Sequence, residues 1–207
     1  MKQMLTFAVL ALLLPLAGKS QYTNQITVNA YGGYNFKERV NFDAAHTIVK
    51  DGFQWGIGVE YFPRYNASME LKYMRFDTKF PLYGPQGNLV NEGNDDGAQN
   101  FIMFGGNWYA GSIGAKANPF FGASLGWGIL EGENQSADAF AWDAKAGVKL
   151  HTKSKVSFKL QAYVQSMTRS FGTDYWWAGP GWVYAAPDYA TIFQFGLGGA
   201  ICLDFRR

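Results

Sequence analysis

Only two histidines occur in this sequence of 207 residues, and they are the first candidates for acid–base or nucleophilic chemistry. His46 follows Asp43 in the stretch NFDAAHT, where a carboxylate could orient the imidazole as a general base. His151 opens the polar stretch HTKSK, which has the composition of a turn. We interpret both as residues outside an active site, and the sequence predicts no catalytic residue.

Metal and cofactor signatures are weak. NEGNDDG, at residues 91–97, offers the oxygen ligands that calcium prefers but lacks the spacing of an EF-hand loop. GLGG, at residues 196–199, is similar to a phosphate-binding loop, but no helix follows it. Cys202 is the only cysteine, so it cannot form an intrachain disulfide or a cysteine-based zinc site. We therefore predict no metal site and no cofactor.

Charged side chains recur at alternate positions of segments that are otherwise apolar. If these positions face the interior of a closed sheet, the charges must pair, because an unpaired buried charge is costly. The structural interpretation is a plug of salt bridges, and the alternative is a path for protons or ions. We favour the structural interpretation for the whole set: Glu60, Glu70, Lys72, Asp143, Lys145, Lys149, Lys159, Asp204 and Arg206.

β-Strands are the elements that would place such charges on one face. A period of two indicates a strand, because successive side chains point to opposite faces of a sheet. In NFIMFGGNWYA both faces are apolar, and we assign Ile102, Phe104 and Trp108 to the outer face. The segments are ITVNAYGGYNFK, FQWGIGVEYF, ASMELKYMRF, NFIMFGGNWYA, FFGASLGWGIL, AFAWDAKAGVKL, VSFKLQAYVQS and YATIFQFGLGGAICLDFRR.

The connections between these eight segments also alternate in length. Long polar connections span roughly 38–51, 78–98, 131–138 and 169–188, and shorter ones contain PRYN, GSIGAKAN and HTKSK. Strands of about 10–12 residues can cross a bilayer at a tilt. The sequence thus predicts an all-β, eight-stranded antiparallel up-and-down transmembrane barrel, with long loops outside the cell and short turns in the periplasm.

A soluble ligand-binding barrel of the lipocalin type is the competing architecture, and it would turn its apolar face inward. Composition counts against it, because only 16% of residues are charged and 17% are aromatic, whereas a soluble domain is about 25% charged. Glycines such as Gly56, Gly58 and Gly126 lie on the polar face, where a narrow interior needs small side chains. These features favour the membrane barrel.

The N-terminus has the features of a cleaved export signal. Lys2 precedes an apolar run too short to span a bilayer, and small residues precede Gln21. We expect a signal peptide at residues 1–20 and a barrel domain at residues 21–207. Without the signal, basic and acidic residues are equal in number, which argues against binding to nucleic acid.

With these features the chain resembles the small outer-membrane β-barrel family of Gram-negative bacteria, the OmpX/OmpA-barrel type also called porin-family proteins. The resemblance covers residues 21–207 and rests on the export signal, the eight alternating segments and the ending LDFRR. The aromatic residue near that ending is similar to the signal that the barrel-assembly machinery recognises in its clients. Family members more often end on the aromatic residue itself.

The resemblance implies the fold and an integral position in the outer membrane more strongly than it implies a function. Family members serve as adhesins, anchors, accessory subunits or small-solute pores. Outer-membrane lipid A deacylases carry a His-x-Ser-Asn type motif, which this sequence lacks. We expect a monomer without enzymatic activity, in contact with membrane lipid and lipopolysaccharide, with a structural or interaction role. A narrow pore is the alternative, and a lipid A-modifying enzyme is the third option.

The connection RSFGTDYWWAGPGWVYAAPDY concentrates aromatic residues around AGPG, which is a turn signal. Exposed aromatic clusters often mark contact surfaces, so one interpretation is a platform for a protein or glycan partner. The other, which we favour, is an interfacial girdle that caps the barrel mouth. The residues concerned are Tyr175, Trp176, Trp177, Trp182 and Tyr184.

The strand alternation predicts two placements. Opposite charges should interleave at the short-turn end of the lumen, where all members of the charged set except Asp143 and Lys145 should converge. Aromatic side chains should face lipid near the two interfaces, as membrane barrels require. The aromatic set comprises Trp55, Tyr61, Tyr73, Trp108, Trp127 and Trp142.

Overall fold

The computed structural model describes most of the chain after the expected signal peptide. The described ranges are 24–41, 46–83, 96–112, 115–132, 136–177 and 183–205. Residues 1–20 and Arg206 lie outside them. No helix in these ranges is long and apolar enough to cross a membrane.

Eight long strands close into one antiparallel barrel, in the order β1-β11-β10-β9-β8-β7-β5-β4, which confirms the predicted architecture. Three short strands form a separate sheet in the order β2-β3-β6. The strands are β1 Gln25–Asn35, β2 Glu38–Asn41, β3 His46–Val49, β4 Gly52–Arg64, β5 Ala67–Lys79, β6 Leu82–Tyr83, β7 Asp96–Tyr109, β8 Ala117–Gly132, β9 Ser136–His151, β10 Val156–Trp177 and β11 Val183–Phe205.

The barrel closes between its first and last strands. Ile26 of β1 lies opposite Phe205 of β11 on one side and opposite Tyr61 of β4 on the other. The pairing of β1 with β11 continues to Asn35 opposite Gly196. Closure pairs the backbone groups that an open sheet would leave free at its edges.

Side chains alternate between a buried polar interior and an exposed apolar exterior. On β4, Phe53 and Ile57 are 62% and 60% exposed, whereas Gln54 and Glu60 are completely buried. Ile102, Phe104 and Trp108 face outward as predicted. A continuous apolar exterior of this kind belongs in a bilayer, so the lipocalin-like alternative is wrong.

The aromatic set also faces outward. Trp55, Tyr61, Trp108 and Trp127 are each more than 40% exposed. The two half-buried members pack against other outward rings. The ring centroids of Tyr73 and Trp55 lie 6.1 Å apart, and those of Trp142 and Phe193 lie 6.0 Å apart. The predicted outward placement is therefore confirmed.

Strands replace much of the predicted loop structure, so the strand lengths and loop boundaries predicted from the sequence were wrong. The range 38–51 contains β2 and β3, and 78–98 contains β6 with parts of β5 and β7. Most of 131–138 extends β8 and β9. In 169–188, β10 and β11 continue as a hairpin, with Trp177 opposite Val183. Hairpin pairing satisfies the backbone hydrogen bonds of these residues, which a loop would leave to water.

The small sheet folds over the loop end of the barrel. Val49 at the end of β3 is completely buried against Phe76, with Phe80 and Ile192 packed beside them. The backbone of Ile48 also donates a hydrogen bond to the carbonyl oxygen of Pro81, at 3.2 Å. An apolar cluster therefore joins the small sheet to the barrel at this end.

Glycines on the inner face permit close approach of neighbouring strands. A Cβ at Gly126 would overlap the carbonyl oxygen of Ile102, and a Cβ at Gly147 would overlap that of Leu160. Only glycine fits such positions, and glycine kinks of this kind help a sheet to curve into a narrow barrel.

Candidate functional site: the lumen

The lumen next to the short turns has an aromatic floor. Phe62, Tyr109 and Phe120 come from β4, β7 and β8 and are 1%, 1% and 4% exposed. The ring centroid of Tyr109 lies 5.4 Å from that of each of the other two. Nζ of Lys149 lies 4.9 Å from the Phe62 centroid, and Nζ of Lys159 lies 5.5 Å from the Phe120 centroid. Cation–π contacts thus join this floor to the charges above it.

Glu60 is the most densely coordinated carboxylate of the lumen. The Tyr109 hydroxyl donates to Oε1 at 2.6 Å, and Nδ2 of Asn107 donates to the same oxygen at 2.8 Å. Nζ of Lys159 lies 2.7 Å from Oε2. These donors satisfy both carboxylate oxygens of Glu60 in the absence of water.

Glu70 lies beside Glu60 in the sheet, directly opposite it in the β4–β5 register. Like charges in such positions repel, so cations must neutralise both. The Lys145 ammonium pairs with Glu70, and Nζ of Lys159 lies 3.7 Å from it while pairing with Glu60. The Tyr31 hydroxyl also donates to Glu70.

Two further ion pairs complete the network. The Lys72 ammonium pairs with Asp143, and both side chains are buried. Nζ of Lys149 lies 3.3 Å from the Asp204 carboxylate. Asp204 also accepts hydrogen bonds from Thr27 at 2.8 Å and from Ser157 at 2.9 Å.

The structure places every member of the charged set inside the lumen, apart from Arg206, which lies outside the described residues. The expectation that Asp143 and Lys145 stand apart from the rest needs correction. Asp143 is the partner of Lys72, and Lys145 is the partner of Glu70. Strands of a barrel are tilted, so residues on distant strands can share a level that a count from the nearest turn does not reveal.

Uncharged polar residues belong to the same network, although the sequence analysis did not select them. Nδ2 of Asn29 donates to Glu70 at 3.0 Å, and Tyr31, Asn107 and Tyr109 donate to the two glutamates. These residues occupy inward positions of their strands, so the alternation that selected the charges could also have found them.

The lumen nearer the long loops is filled by amides and apolar side chains. The Tyr163 hydroxyl lies 2.8 Å from Oδ1 of Asn35 and 3.0 Å from Oε1 of Gln54. Nε2 of Gln54 donates to Gln165, which donates to Gln194. Buried apolar side chains pack in the same part of the interior: Met74, Phe101, Met103, Ala141 and Met167.

The histidines do not form a catalytic arrangement within the described residues. His46 lies in β3 opposite Asn41 rather than in an irregular loop, and Asp43 lies outside the described ranges. His151 ends β9, with Nε2 3.4 Å from Nδ2 of Asn118. No group of three or more His, Cys, Asp or Glu residues in the described part of the chain is placed to hold a metal.

The aromatic stretch, weighed above as a contact surface or an interfacial girdle, lies at the far end of the long hairpin. Tyr175, Trp176 and Trp177 belong to β10, and Tyr184 belongs to β11. Trp182 lies outside the described residues, as do the side chains of the other four. The pairing of β10 with β9 ends at Thr168 opposite Phe140, well before this stretch.

Charged residues also mark the outer wall near the long loops. Arg75 pairs with Asp77 at 2.8 Å and with Glu131 at 3.1 Å. Asp51 lies between β3 and β4, where the Tyr34 hydroxyl donates to it and thereby holds the pKa of that carboxyl below its ordinary value. Polar groups at this level suit the boundary between hydrocarbon and water.

No protein-family model and no curated protein matches the chain. Solved structures do match it. The outer membrane protein OprG from Pseudomonas aeruginosa is 10% identical, with a TM-score of 0.64, over 94% of this chain and 100% of that one. Neisserial surface protein A is 11% identical, with a TM-score of 0.53, over 87% and 97% of the two chains. The outer membrane protein AlkL is 11% identical, with a TM-score of 0.51, over 92% and 95%.

Similarity at such low identity establishes the fold alone. The matched proteins are bacterial outer-membrane barrels, and the matches cover 87–94% of this chain. This chain therefore has the fold of the small eight-stranded outer-membrane β-barrels of Gram-negative bacteria.

Proposed function

We propose that this protein is a non-enzymatic scaffold of the outer membrane, exported by a cleaved signal peptide, with a structural or interaction role. The observation that carries the proposal is the filled lumen. Glu60, Glu70 and Lys159 are at most 1% exposed and pair across the interior. An eight-stranded barrel is just wide enough for its own side chains, and these side chains occupy it.

The β10–β11 hairpin supports the interaction role. Its strands remain paired with each other as far as Trp177 and Val183, beyond the last pairing with β9 at Thr168. Backbone groups on the outer edges of such a hairpin can pair with an extended segment of another chain. We propose a protein or glycan partner at this end, with lipopolysaccharide around the wall. The barrel-assembly machinery would act during biogenesis, and the mature barrel would be a monomer without a cofactor.

Conductance in planar lipid bilayers tests the scaffold proposal against the narrow-pore alternative. The purified full-length mature barrel should show no steady single-channel openings, because the ion pairs block the lumen. A reconstituted general porin serves as the positive control for insertion. Steady openings would overturn the proposal, and a change of their conductance in Glu60→Leu would place the pore in the lumen.

A second measurement addresses the enzyme option. The barrel is incubated with lipopolysaccharide, and the acyl chains of lipid A are analysed by mass spectrometry. We expect an unchanged acyl pattern, and a loss or transfer of acyl chains would show that the protein is an enzyme.

A further inference from the structure

A groove of about 830 Å³ crosses the lipid-facing wall over β8 to β11. Its floor contains Ala146 of β9 and Ala162 of β10, which lie directly opposite each other. Phe121 pairs with the first alanine and Leu197 with the second, so a large side chain stands on each side. Two small residues between two large ones leave a trough in an otherwise bulky apolar surface.

The groove begins at the short-turn end of the wall. Trp108, Ala110 and Pro119 line it there, and the amide of Ala110 donates to the carbonyl oxygen of Pro119 at 2.8 Å. Short turns of bacterial outer-membrane barrels face the periplasm. The groove therefore lies in the part of the wall that contacts the periplasmic leaflet.

Three exposed lysines lie just beyond this end of the groove. Lys116 precedes β8, and its carbonyl oxygen accepts a hydrogen bond from the His151 amide at 2.7 Å. This bond brings the turn before β8 next to the turn after β9, which carries Lys153 and Lys155. The hydroxyl of Thr152 accepts from the Ser154 amide at 3.1 Å and fixes the second turn.

The charged residues of the short connections are all cationic. In the sequence, the connections 65–66, 110–116 and 152–155 contain no acidic residue. Within the described residues, Lys116, Lys153 and Lys155 each lack an ion-pair partner, unlike the paired lysines of the lumen. An unneutralised cationic cluster at a membrane surface attracts anionic lipid headgroups.

We propose that an anionic diacyl phospholipid of the periplasmic leaflet binds at this place. An acyl chain lies in the groove over Ala146 and Ala162, and the phosphate lies near Lys116, Lys153 and Lys155. The two features point to one ligand, because the apolar trough accepts hydrocarbon and the cations beside its open end accept a phosphate. A cell-wall glycan could contact the lysines, but the apolar trough would not stabilise its binding.

The test compares lipids on the full-length mature barrel by native mass spectrometry from detergent micelles. Phosphatidylglycerol should be retained about tenfold more strongly than phosphatidylcholine with the same chains. The triple variant Lys116→Gln, Lys153→Gln, Lys155→Gln should lose this preference. The variant Ala146→Phe, Ala162→Phe fills the trough and should reduce retention of both lipids.

Matched controls separate this site from general effects of charge and bulk. Arg64→Gln removes a cation at the end of β4, beside the β4–β5 turn on the opposite side of the ring, and should leave the preference unchanged. Ala30→Phe adds an outward ring on β1, opposite Ile201 and outside the residues that line the groove, and should leave retention unchanged. Folding of every variant is checked by its heat-dependent migration in gels.

Three results would overturn the proposal. The first is equal retention of the two lipids by the unchanged barrel. The second is an effect of Arg64→Gln equal to that of the triple lysine variant. The third is normal phosphatidylglycerol retention by the variant with the filled groove. Such retention, together with binding of isolated cell-wall glycan through the same lysines, would also overturn the proposal.

Discussion

Nζ of Lys159 lies 2.7 Å from Oε2 of Glu60, although β1 and β11 separate their strands in the ring. The same ammonium lies 3.7 Å from Glu70, so one cation holds two carboxylates that would otherwise repel each other. Charges in this lumen are shared between strands, and removing one residue changes the environment of several.

Glu70→Ala should lower the free energy of unfolding by about 3–5 kcal/mol, because it leaves buried cations without their anion. Lys145 loses its partner and Lys159 loses its second contact. Urea unfolding in lipid vesicles measures the effect.

Glu131→Ala is the matched control, since Glu131 pairs with Arg75 on the outer wall with its side chain 43% exposed. Exposed pairs contribute about 0–1 kcal/mol. Equal losses from Glu131→Ala and Glu70→Ala would refute a structural role for the lumen network.

Lys159→Met alone should lower the free energy of unfolding more than Lys159→Met combined with Glu60→Gln. The single change leaves the buried Glu60 carboxylate unpaired, whereas the double change removes both charges. Residues in direct contact should show a coupling energy of about 1–3 kcal/mol in a double-mutant cycle. If the losses of unfolding free energy were additive, the interaction between Lys159 and Glu60 would make no contribution to stability.

The lipid face could be predicted from the sequence because it depends on local alternation alone. Phe195 and Leu197 face outward whatever strand lies beside them. The ion pairs could not be predicted in the same way, since Lys72 and Asp143 meet through strand tilt across two intervening strands, β7 and β8. The hairpin was missed because the whole of 169–188 was read as a loop around AGPG, whereas β10 and β11 stay paired as far as Trp177 opposite Val183.

Gly105→Ala should destabilise the barrel by about 1–3 kcal/mol, as overpacking does in a close-packed interior. Its new methyl group would overlap the carbonyl oxygen of Ala123 on the next strand. Gly106→Ala is the neighbouring control on the lipid face, where the nearest atom to a Cβ lies 3.3 Å away. The fraction folded in vesicles at increasing urea distinguishes the two variants. Unchanged stability of Gly105→Ala would contradict the packing argument.

Leu71→Arg should destabilise the membrane-inserted barrel by about 2–4 kcal/mol if it lies near the bilayer centre. Leu71 is 56% exposed and lies between Val59 and Phe104, both on the apolar face. Ser154→Arg, in an exposed turn, should have almost no effect. Unfolding in vesicles provides the measurement, and tolerance of Leu71→Arg would mean that this face does not contact hydrocarbon.

Asp204 stands at the seam where the first and last strands meet, and its contacts come from both sides of that seam. Thr27 reaches it from β1, whereas Ser157 and Lys149 reach it from β10 and β9. A partly closed barrel would leave the Asp204 carboxylate without one set of these contacts. Partly closed intermediates are therefore destabilised. Assembly should accordingly be all-or-none, with the first and last strands joining in the same step that completes the interior.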